Sequence, residues 1–166
     1  MNTIIVYSSQ TGFTKQYAQW LGEALDCPYK SQGEVSDAEL KEYDCIIYGG
    51  WIMGNSIMGL DKFRTKHVPT SIFAVGATPA YDEVICVVKE QNHVDDTPFF
   101  YLEGGIRMEK LKFIQKSMLK MLGKSLTKKE NATRQEKFMA EKLGTSFDHS
   151  SKKQIENLVQ WYKIYS

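Results

Sequence analysis

The residues best suited to chemistry form a short polar segment, Ser8–Thr14, that follows an apolar run near the start of the chain. Its hydroxyl groups and the backbone amides of a following helix predict an anion site that contains no basic residue. A hydrogen bond to a charged partner contributes roughly 1.5–3 kcal/mol, so about four or five of them can hold a phosphomonoester without a lysine. An ordinary capped helix behind a turn is the alternative, since serine and threonine are common there as well. The predicted phosphate-binding residues are Ser9, Gln10, Thr11, Gly12, Phe13 and Thr14.

Residue types exclude the other common phosphate loops. A Walker loop requires Gly-Lys-Ser/Thr, and no lysine precedes Lys15. A dinucleotide-binding turn requires three glycines, whereas this turn has only Gly12. A phosphatase loop requires an arginine six residues after a cysteine, and those positions hold Gly33, Trp51 and Asn92. A receiver domain requires an acidic pair after the first strand, where this chain has serines.

Apolar patterning predicts alternating strands and helices around this segment. Continuous apolar runs predict buried strands at Thr3–Tyr7, Cys45–Tyr48, Ser71–Val75 and Phe99–Leu102, with a weak strand between Pro28 and Val35. Helical spacing predicts helices at about Thr14–Leu25, Ser36–Tyr43, Asp82–Asn92 and Lys152–Tyr165, and a further helix that follows Gly59 and ends at about His67. Ser36 is expected to be an N-cap. The alternation predicts an α/β fold with a doubly wound five-stranded parallel sheet of order 2-1-3-4-5. Its ligand site is expected at the carboxyl ends of strands 1 and 3.

The segment Met108–His149 is far longer than a connection between a last strand and a last helix requires. It predicts a helical insertion within a single domain of residues 1–166. Although the net charge is only +1, Arg107–Lys129 holds eight basic residues and one acidic residue. A lysine stripe comprises Lys112, Lys116, Lys120 and Lys124, opposite an apolar face of Leu111, Ile114, Met118, Met121 and Leu122. A helix packed on the domain and an interfacial helix attracted to anionic lipid both fit this pattern. The acidic remainder of the chain argues against nucleic acid as a partner.

Cysteine and histidine usage indicates no metal site and no disulfide framework. Cys27, Cys45 and Cys86 are widely spaced, and the three histidines are scattered. Burial as small hydrophobic residues is expected for Cys45 and Cys86. No apolar run approaches the roughly 18 residues needed to cross a bilayer, and no signal peptide precedes the first strand. These features predict a cytoplasmic protein with reduced thiols.

With these features the chain resembles the flavodoxin family. The resemblance covers the alternating pattern from Thr3 to Gly105 and the last helix, and its specific part is the Ser/Thr-x-Thr-Gly-x-Thr element at Ser9–Thr14. It implies that this element binds the phosphate of FMN and that the loops after strands 3 and 4 enclose the isoalloxazine ring. Phe13 stands where many flavodoxins have asparagine, so a side-chain contact is lost while the backbone amide remains.

The resemblance implies two loops around the flavin ring. The loop after the Cys45–Tyr48 strand contributes Gly50, Trp51, Ile52, Met53, Gly54 and Asn55. The loop after the Ser71–Val75 strand contributes Gly76, Ala77, Thr78 and Tyr81. Trp51 or Met53 could cover a ring face, although Trp51 fits a place in the core equally well. Tyr81 either stacks on the ring or opens the next helix.

The insertion is similar to that of the flavodoxin-like protoporphyrinogen oxidases, through Gly104–Arg107, Phe113-Ile114 and Met118–Lys124. The similarity implies oxidation of protoporphyrinogen IX, with electrons passed to menaquinone at the membrane. The predicted function is therefore an FMN-dependent oxidoreductase whose flavin N5 carries the chemistry, with no side-chain acid or base assigned. Its redox partner would be a quinone, a porphyrinogen or an electron-transfer protein. The alternatives are an electron carrier without a substrate site and an interaction module without cofactor.

Overall fold

The computed structural model describes residues 1–166 and is built on one central sheet. The strands are β1 (Thr3–Ser8), β2 (Tyr29–Ser31), β3 (Cys45–Met53), β4 (Ser56–Ile57), β5 (Ser71–Gly76) and β6 (Phe99–Glu103). Five of them are parallel in the order β2-β1-β3-β5-β6, and β4 adds to β3 as a short antiparallel strand. Counted over the parallel strands, this is the predicted order 2-1-3-4-5, so the predicted fold class is confirmed.

Helices cover both faces of the sheet because alternate residues of its apolar strands point to opposite sides. The helices are α1 (Phe13–Leu25), α2 (Asp37–Leu40), α3 (Leu60–Arg64), α4 (Asp82–Gln91), α5 (Phe113–Thr127), α6 (Arg134–Lys142) and α7 (Glu156–Tyr165). On one face Ile5 and Phe73 pack with Tyr17 of α1 and Leu158 of α7. On the other face the strands pack against α2, α3 and α4, through Leu40, Leu60 and Val84 among others.

Between β6 and α7 lies the insertion, whose two ends meet in a strand pair. β7 (Gly105–Ile106) pairs antiparallel with β8 (Phe147–Asp148), and α5 and α6 pack together between them. Gly123 is the buried residue of α5, and a Cβ there would lie 3.2 Å from the Leu143 side chain. The apolar face of α5 points elsewhere, since Ile114, Met118 and Met121 are 71%, 62% and 70% exposed. Leu122 of the same face lines a cavity together with Ile52 and Val84. The alternative of a helix packed on the domain through this face is therefore wrong for Ile114, Met118 and Met121 and holds for Leu122 alone among these four.

Strand β3 is longer than predicted. The sequence places its end at Tyr48, yet Gly49 and Gly50 lie inside the ladder, between Tyr7 and Ser8 on one side and Phe73 and Ala74 on the other. A Cβ at Gly49 would collide with the Phe73 ring, so this glycine permits close packing within the sheet and not a turn.

The turn between β3 and β4 comes later in the chain. Gly54 and Asn55 have φ values of 54° and 66°, as a two-residue type I′ hairpin turn requires. The first predicted ring loop is therefore largely the outer end of a hairpin.

Smaller departures concern helix ends and one thiol. The helix after Gly59 spans only Leu60–Arg64, and a 3₁₀ turn at Lys152–Ile155 precedes α7. Cys45 is buried as predicted, whereas Cys86 is exposed because it lies on the solvent side of α4.

No helix is both long and apolar enough to span a bilayer. No group of three or more histidine, cysteine or acidic side chains is close enough together to hold a metal ion.

A buried asparagine fixes the β3–β4 hairpin to the sheet. The Asn92 side chain accepts from the amide of Ile57 at 2.8 Å and donates to the carbonyls of Asn55 and Val88 at 2.7 and 2.6 Å. The backbone carbonyl of Asn92 accepts a hydrogen bond from Arg64 Nη1 at 2.6 Å. Every polar atom of this side chain is thus used to hold the hairpin turn in place.

Replacing Asn92 with alanine is expected to lower the free energy of unfolding by about 2–4 kcal/mol, because the amide of Ile57 and the carbonyl of Asn55 lose their partner in dry surroundings. Urea unfolding followed by tryptophan fluorescence measures the change. Gln91→Ala is the control, since Gln91 is the exposed neighbour of Asn92. Equal stabilities of the two variants would contradict the role of Asn92.

Candidate functional site

The polar segment after β1 forms a tight loop into α1. Gly12 adopts a left-handed conformation (φ 102°), and α1 begins at Phe13 without any side-chain cap. The first helical amide to find a backbone acceptor is that of Gln16, which donates to the Gly12 carbonyl at 3.0 Å. The amides of Phe13, Thr14 and Lys15 therefore have no acceptor within the helix and carry its positive end.

Two hydroxyl groups of this loop are buried without any hydrogen-bond partner, Ser9 Oγ and Thr14 Oγ1. Thr14 is only 1% exposed. An unpaired buried hydroxyl costs roughly 1–3 kcal/mol, so a ligand rich in acceptor oxygens would relieve both. The free amides and the unpaired hydroxyls together fit a phosphate dianion.

Sequence reasoning missed a cation on this loop. The Arg107 guanidinium donates to the Thr11 carbonyl at 2.9 Å and to Gln16 Oε1 at 3.0 Å, and it lies 3.8 Å above the centre of the Phe13 ring. Lys110 Nζ approaches from the same turn, 3.7 Å from where a Cβ on Gly12 would stand. The loop itself contains no basic residue, as the sequence indicates, but two cations from the start of the insertion lie beside it. The available signal was that Arg107 closely follows the carboxyl end of the last parallel strand.

The hairpin presents the first set of predicted ring residues at the carboxyl edge of the sheet. Trp51 is half-buried and pairs in register with Val75. Ile52 points to the opposite face and packs against the core under α3 and α4. Met53 lies at the tip of the hairpin and is 55% exposed. Trp51 thus stands outside both core clusters, on the same side of the sheet as α1.

Hydrogen bonds from β6 hold the second ring loop, Gly76–Tyr81. Tyr101 Oη donates to the Thr78 carbonyl at 2.7 Å and lies 3.1 Å from Thr78 Oγ1. Burial raises the pKa of Tyr101 to about 12, which keeps the donating proton in place. The Ala80 amide donates to Glu103 Oε1 at 2.7 Å. A side chain at Gly76 would collide with the Tyr101 hydroxyl, so glycine is required where the loop leaves the strand.

Tyr81 opens α4 and is covered by the insertion. The Arg134 guanidinium, in the first turn of α6, lies 4.0 Å above the centre of the Tyr81 ring. The same guanidinium donates two hydrogen bonds to the carboxylate of Glu83, one of them 2.6 Å long. This pairing lowers the pKa of Glu83 to about 2, so the carboxylate remains charged at neutral pH. One face of the Tyr81 ring is thereby occupied by protein.

A cavity of about 350 Å³ lies between the ring loops and the insertion. The ring loops contribute Ile52, Gly54, Asn55, Gly76, Ala77 and Thr78. The insertion contributes Leu122, Leu126, Gln135, Glu136 and Met139. The structure thus brings together six of the predicted ring residues and closes their outer side with side chains that sequence reasoning had not assigned. Gly50, Trp51, Met53, Tyr81 and the phosphate loop lie outside this cavity.

Comparison with known proteins gives the family of the fold. A family model described as a flavodoxin domain matches residues 4–134. A search of curated proteins found no match.

A search of solved structures found matches of low sequence identity, among them the following three. A flavodoxin from the domain Archaea is 18% identical, with 66% of this chain and 88% of that chain covered and a TM-score of 0.43. Oxidised Flavodoxin 2 from Bacillus cereus is 17% identical, with 66% and 90% covered and a TM-score of 0.43. The Flv1 flavodiiron core from Synechocystis sp. PCC6803 is 14% identical, with 66% and 32% covered and a TM-score of 0.45.

Thr14→Val is expected to weaken FMN binding by about 10- to 100-fold, because one hydrogen bond to the phosphate is lost while side-chain shape is kept. Riboflavin, which lacks the phosphate, should bind the variant and the unmodified protein equally well. Quenching of flavin fluorescence on titration with apoprotein measures both affinities. Thr97→Val, away from the loop, serves as the control. An unchanged FMN affinity in Thr14→Val would contradict the assignment of this hydroxyl.

Proposed function

Because the chain belongs to the flavodoxin domain family, we propose that it is an FMN-dependent oxidoreductase of the protoporphyrinogen-oxidase-like branch, with menaquinone as electron acceptor. The observation that carries this proposal is the cavity between the ring loops and the insertion. Family membership implies FMN as the cofactor, and the flavin ring supplies electron and hydride transfer when it is bound.

The chain's own residues divide the task of holding FMN. The amides of Phe13–Lys15 and the hydroxyls of Ser9 and Thr14 would take the phosphate, since they are groups of this loop that have no partner in the protein. The outer end of β3 and the loop held by Tyr101 would flank the isoalloxazine ring. No side-chain acid or base is assigned a proton-transfer role.

The cavity favours an enzyme over a simple electron carrier. A carrier exchanges electrons with a protein partner at the exposed edge of its flavin and needs no second compartment. Here Leu122, Leu126 and Met139 of the insertion build an apolar wall opposite the ring loops. A volume of about 350 Å³ lies within the range of small-molecule sites, and in our proposal it would hold a quinone head group or one edge of a tetrapyrrole.

The outer surface of the insertion favours a partner at the membrane. Phe113, Ile114 and Met121 of α5 are exposed by 70% or more. The same helix carries the lysine stripe, which comprises Lys112, Lys116, Lys120 and Lys124. Exposed apolar side chains next to lysines are typical of a helix that lies in the interface of an anionic bilayer. Menaquinone and porphyrinogen are both apolar enough for the protein to encounter them at the surface of a membrane.

The decisive experiment is anaerobic turnover of the FMN-loaded protein. Protoporphyrinogen IX is supplied with a menaquinone analogue as acceptor, and porphyrin fluorescence reports product. Porphyrin formation that depends on both FMN and quinone is expected. Reduction and reoxidation of bound flavin with a one-electron protein partner, without porphyrin formation, would instead identify an electron carrier. Failure to bind FMN at all would identify an interaction module.

Met139→Gln is expected to lower kcat/KM for the apolar substrate by about 10-fold, because a polar amide replaces part of the apolar wall. FMN affinity should remain unchanged, since Met139 lies on the insertion side of the cavity. Met139→Leu keeps the apolar character of the site and is the matched control. Steady-state kinetics of all three proteins provide the comparison, and equal kcat/KM values would rule out a substrate at this wall.

Ile114→Ser combined with Met121→Ser is expected to weaken binding to vesicles by roughly 10-fold or more, because each exposed apolar side chain gains free energy on leaving water. Co-sedimentation with vesicles containing phosphatidylglycerol measures the effect, and vesicles of phosphatidylcholine alone should bind less of the unmodified protein. Val68→Ser is the control, since Val68 is an exposed apolar residue outside the insertion. The membrane assignment fails if phosphatidylglycerol makes no difference.

A further inference from the structure

The start of the insertion lies directly on the phosphate loop. Arg107 bridges the loop to the first turn of α1, with one hydrogen bond to the Thr11 carbonyl and another to Gln16. Its guanidinium also covers the ring of Phe13. Phe13 is the residue that stands where many flavodoxins have asparagine. A Cβ on Gly12 would lie 2.8 Å from Arg107 Nη1, so the guanidinium and the loop backbone are in close contact.

The charge at this position is only partly neutralised. Asp148 approaches Arg107 at 3.7 Å, too far for a hydrogen bond, while Glu109 is 3.4 Å from the Ser146 hydroxyl. The carboxylate of Glu34 accepts a hydrogen bond from the amide of Ser31. Lys110 takes part in none of the ion pairs of the molecule. Two cations with one distant carboxylate leave a net positive charge beside the loop.

We propose that phosphate recognition in this chain is assisted by cations that the insertion supplies. Arg107 is a positioning residue, which fixes the loop through the Thr11 carbonyl and the Phe13 ring. Lys110 provides charge opposite the phosphate of FMN. The proposal rests on the FMN-binding function given above. It makes the segment Gly105–Lys110, anchored by the β7–β8 pair, a part of the cofactor site.

The test compares FMN with riboflavin, because the two ligands share the ring and differ in the phosphate. Dissociation constants are measured by fluorescence quenching on the full-length apoprotein between 50 and 300 mM NaCl, for Arg107→Met, Arg107→Lys and Lys110→Gln, with Lys128→Gln as an exposed lysine control. Arg107→Met is expected to lose about 10-fold in FMN affinity and to bind riboflavin unchanged. Arg107→Lys should recover only part of the loss, since an ammonium cannot form both hydrogen bonds while covering Phe13. Lys110→Gln should lose about 3-fold and show a weaker dependence on salt.

The outcomes separate this proposal from the function on which it rests. If the unmodified protein binds no FMN, the proposed function fails. If it binds FMN and the variants show the same preference for FMN over riboflavin, the cation-assisted site is overturned while FMN binding stands. Parallel losses for both ligands would reduce Arg107 to a structural role and also overturn it. Should Arg107→Met fail to fold in a thermal melt, Lys110→Gln and the salt dependence decide alone.

Discussion

A parallel sheet has to be covered on both faces, and this constraint governs everything else in the molecule. It requires a helical crossover after each strand, so every loop that leaves a carboxyl end emerges at one edge of the sheet. The phosphate loop, the hairpin tip and the Gly76–Tyr81 loop come from three different strands and still meet at that edge. No direct attraction among the three loops is needed to bring them together.

At that edge the chain leaves polar groups unsatisfied, which is uncommon in buried places. Ser9 and Thr14 keep hydroxyl groups without partners, and α1 begins without a side-chain cap. By contrast, the neighbouring hairpin uses every polar atom of the Asn92 side chain. The hairpin thus satisfies its own polar groups, whereas the loop leaves free the hydroxyls that we propose for a phosphate.

The parts of the fold that could be predicted from the sequence are those set by local patterning. Continuous apolar runs located all four strong parallel strands, and Ser36 was correctly expected as an N-cap, since it accepts from the Glu39 amide at 3.1 Å. The hairpin was missed because Gly49 and Gly50 are typical of a turn, although here they make room for Phe73 and Ile57. Arg107 was missed because its contacts lie more than ninety positions away along the chain. Its position after the last parallel strand indicates the carboxyl edge of the sheet, but local spacing does not identify the residues that it contacts there.

The closure of the insertion has a consequence for how such a protein can change over time. The His149 amide donates to the Gly104 carbonyl at 2.9 Å, so the residues on either side of the whole segment are already neighbours. Lengthening or shortening a connection between fixed neighbouring ends costs little free energy, because loop-closure entropy grows slowly with length. Acquisition or loss of this module would leave the pairing of the core strands untouched. The β7–β8 pair is thus a position at which segments of different length can be inserted during evolution while the central sheet stays the same.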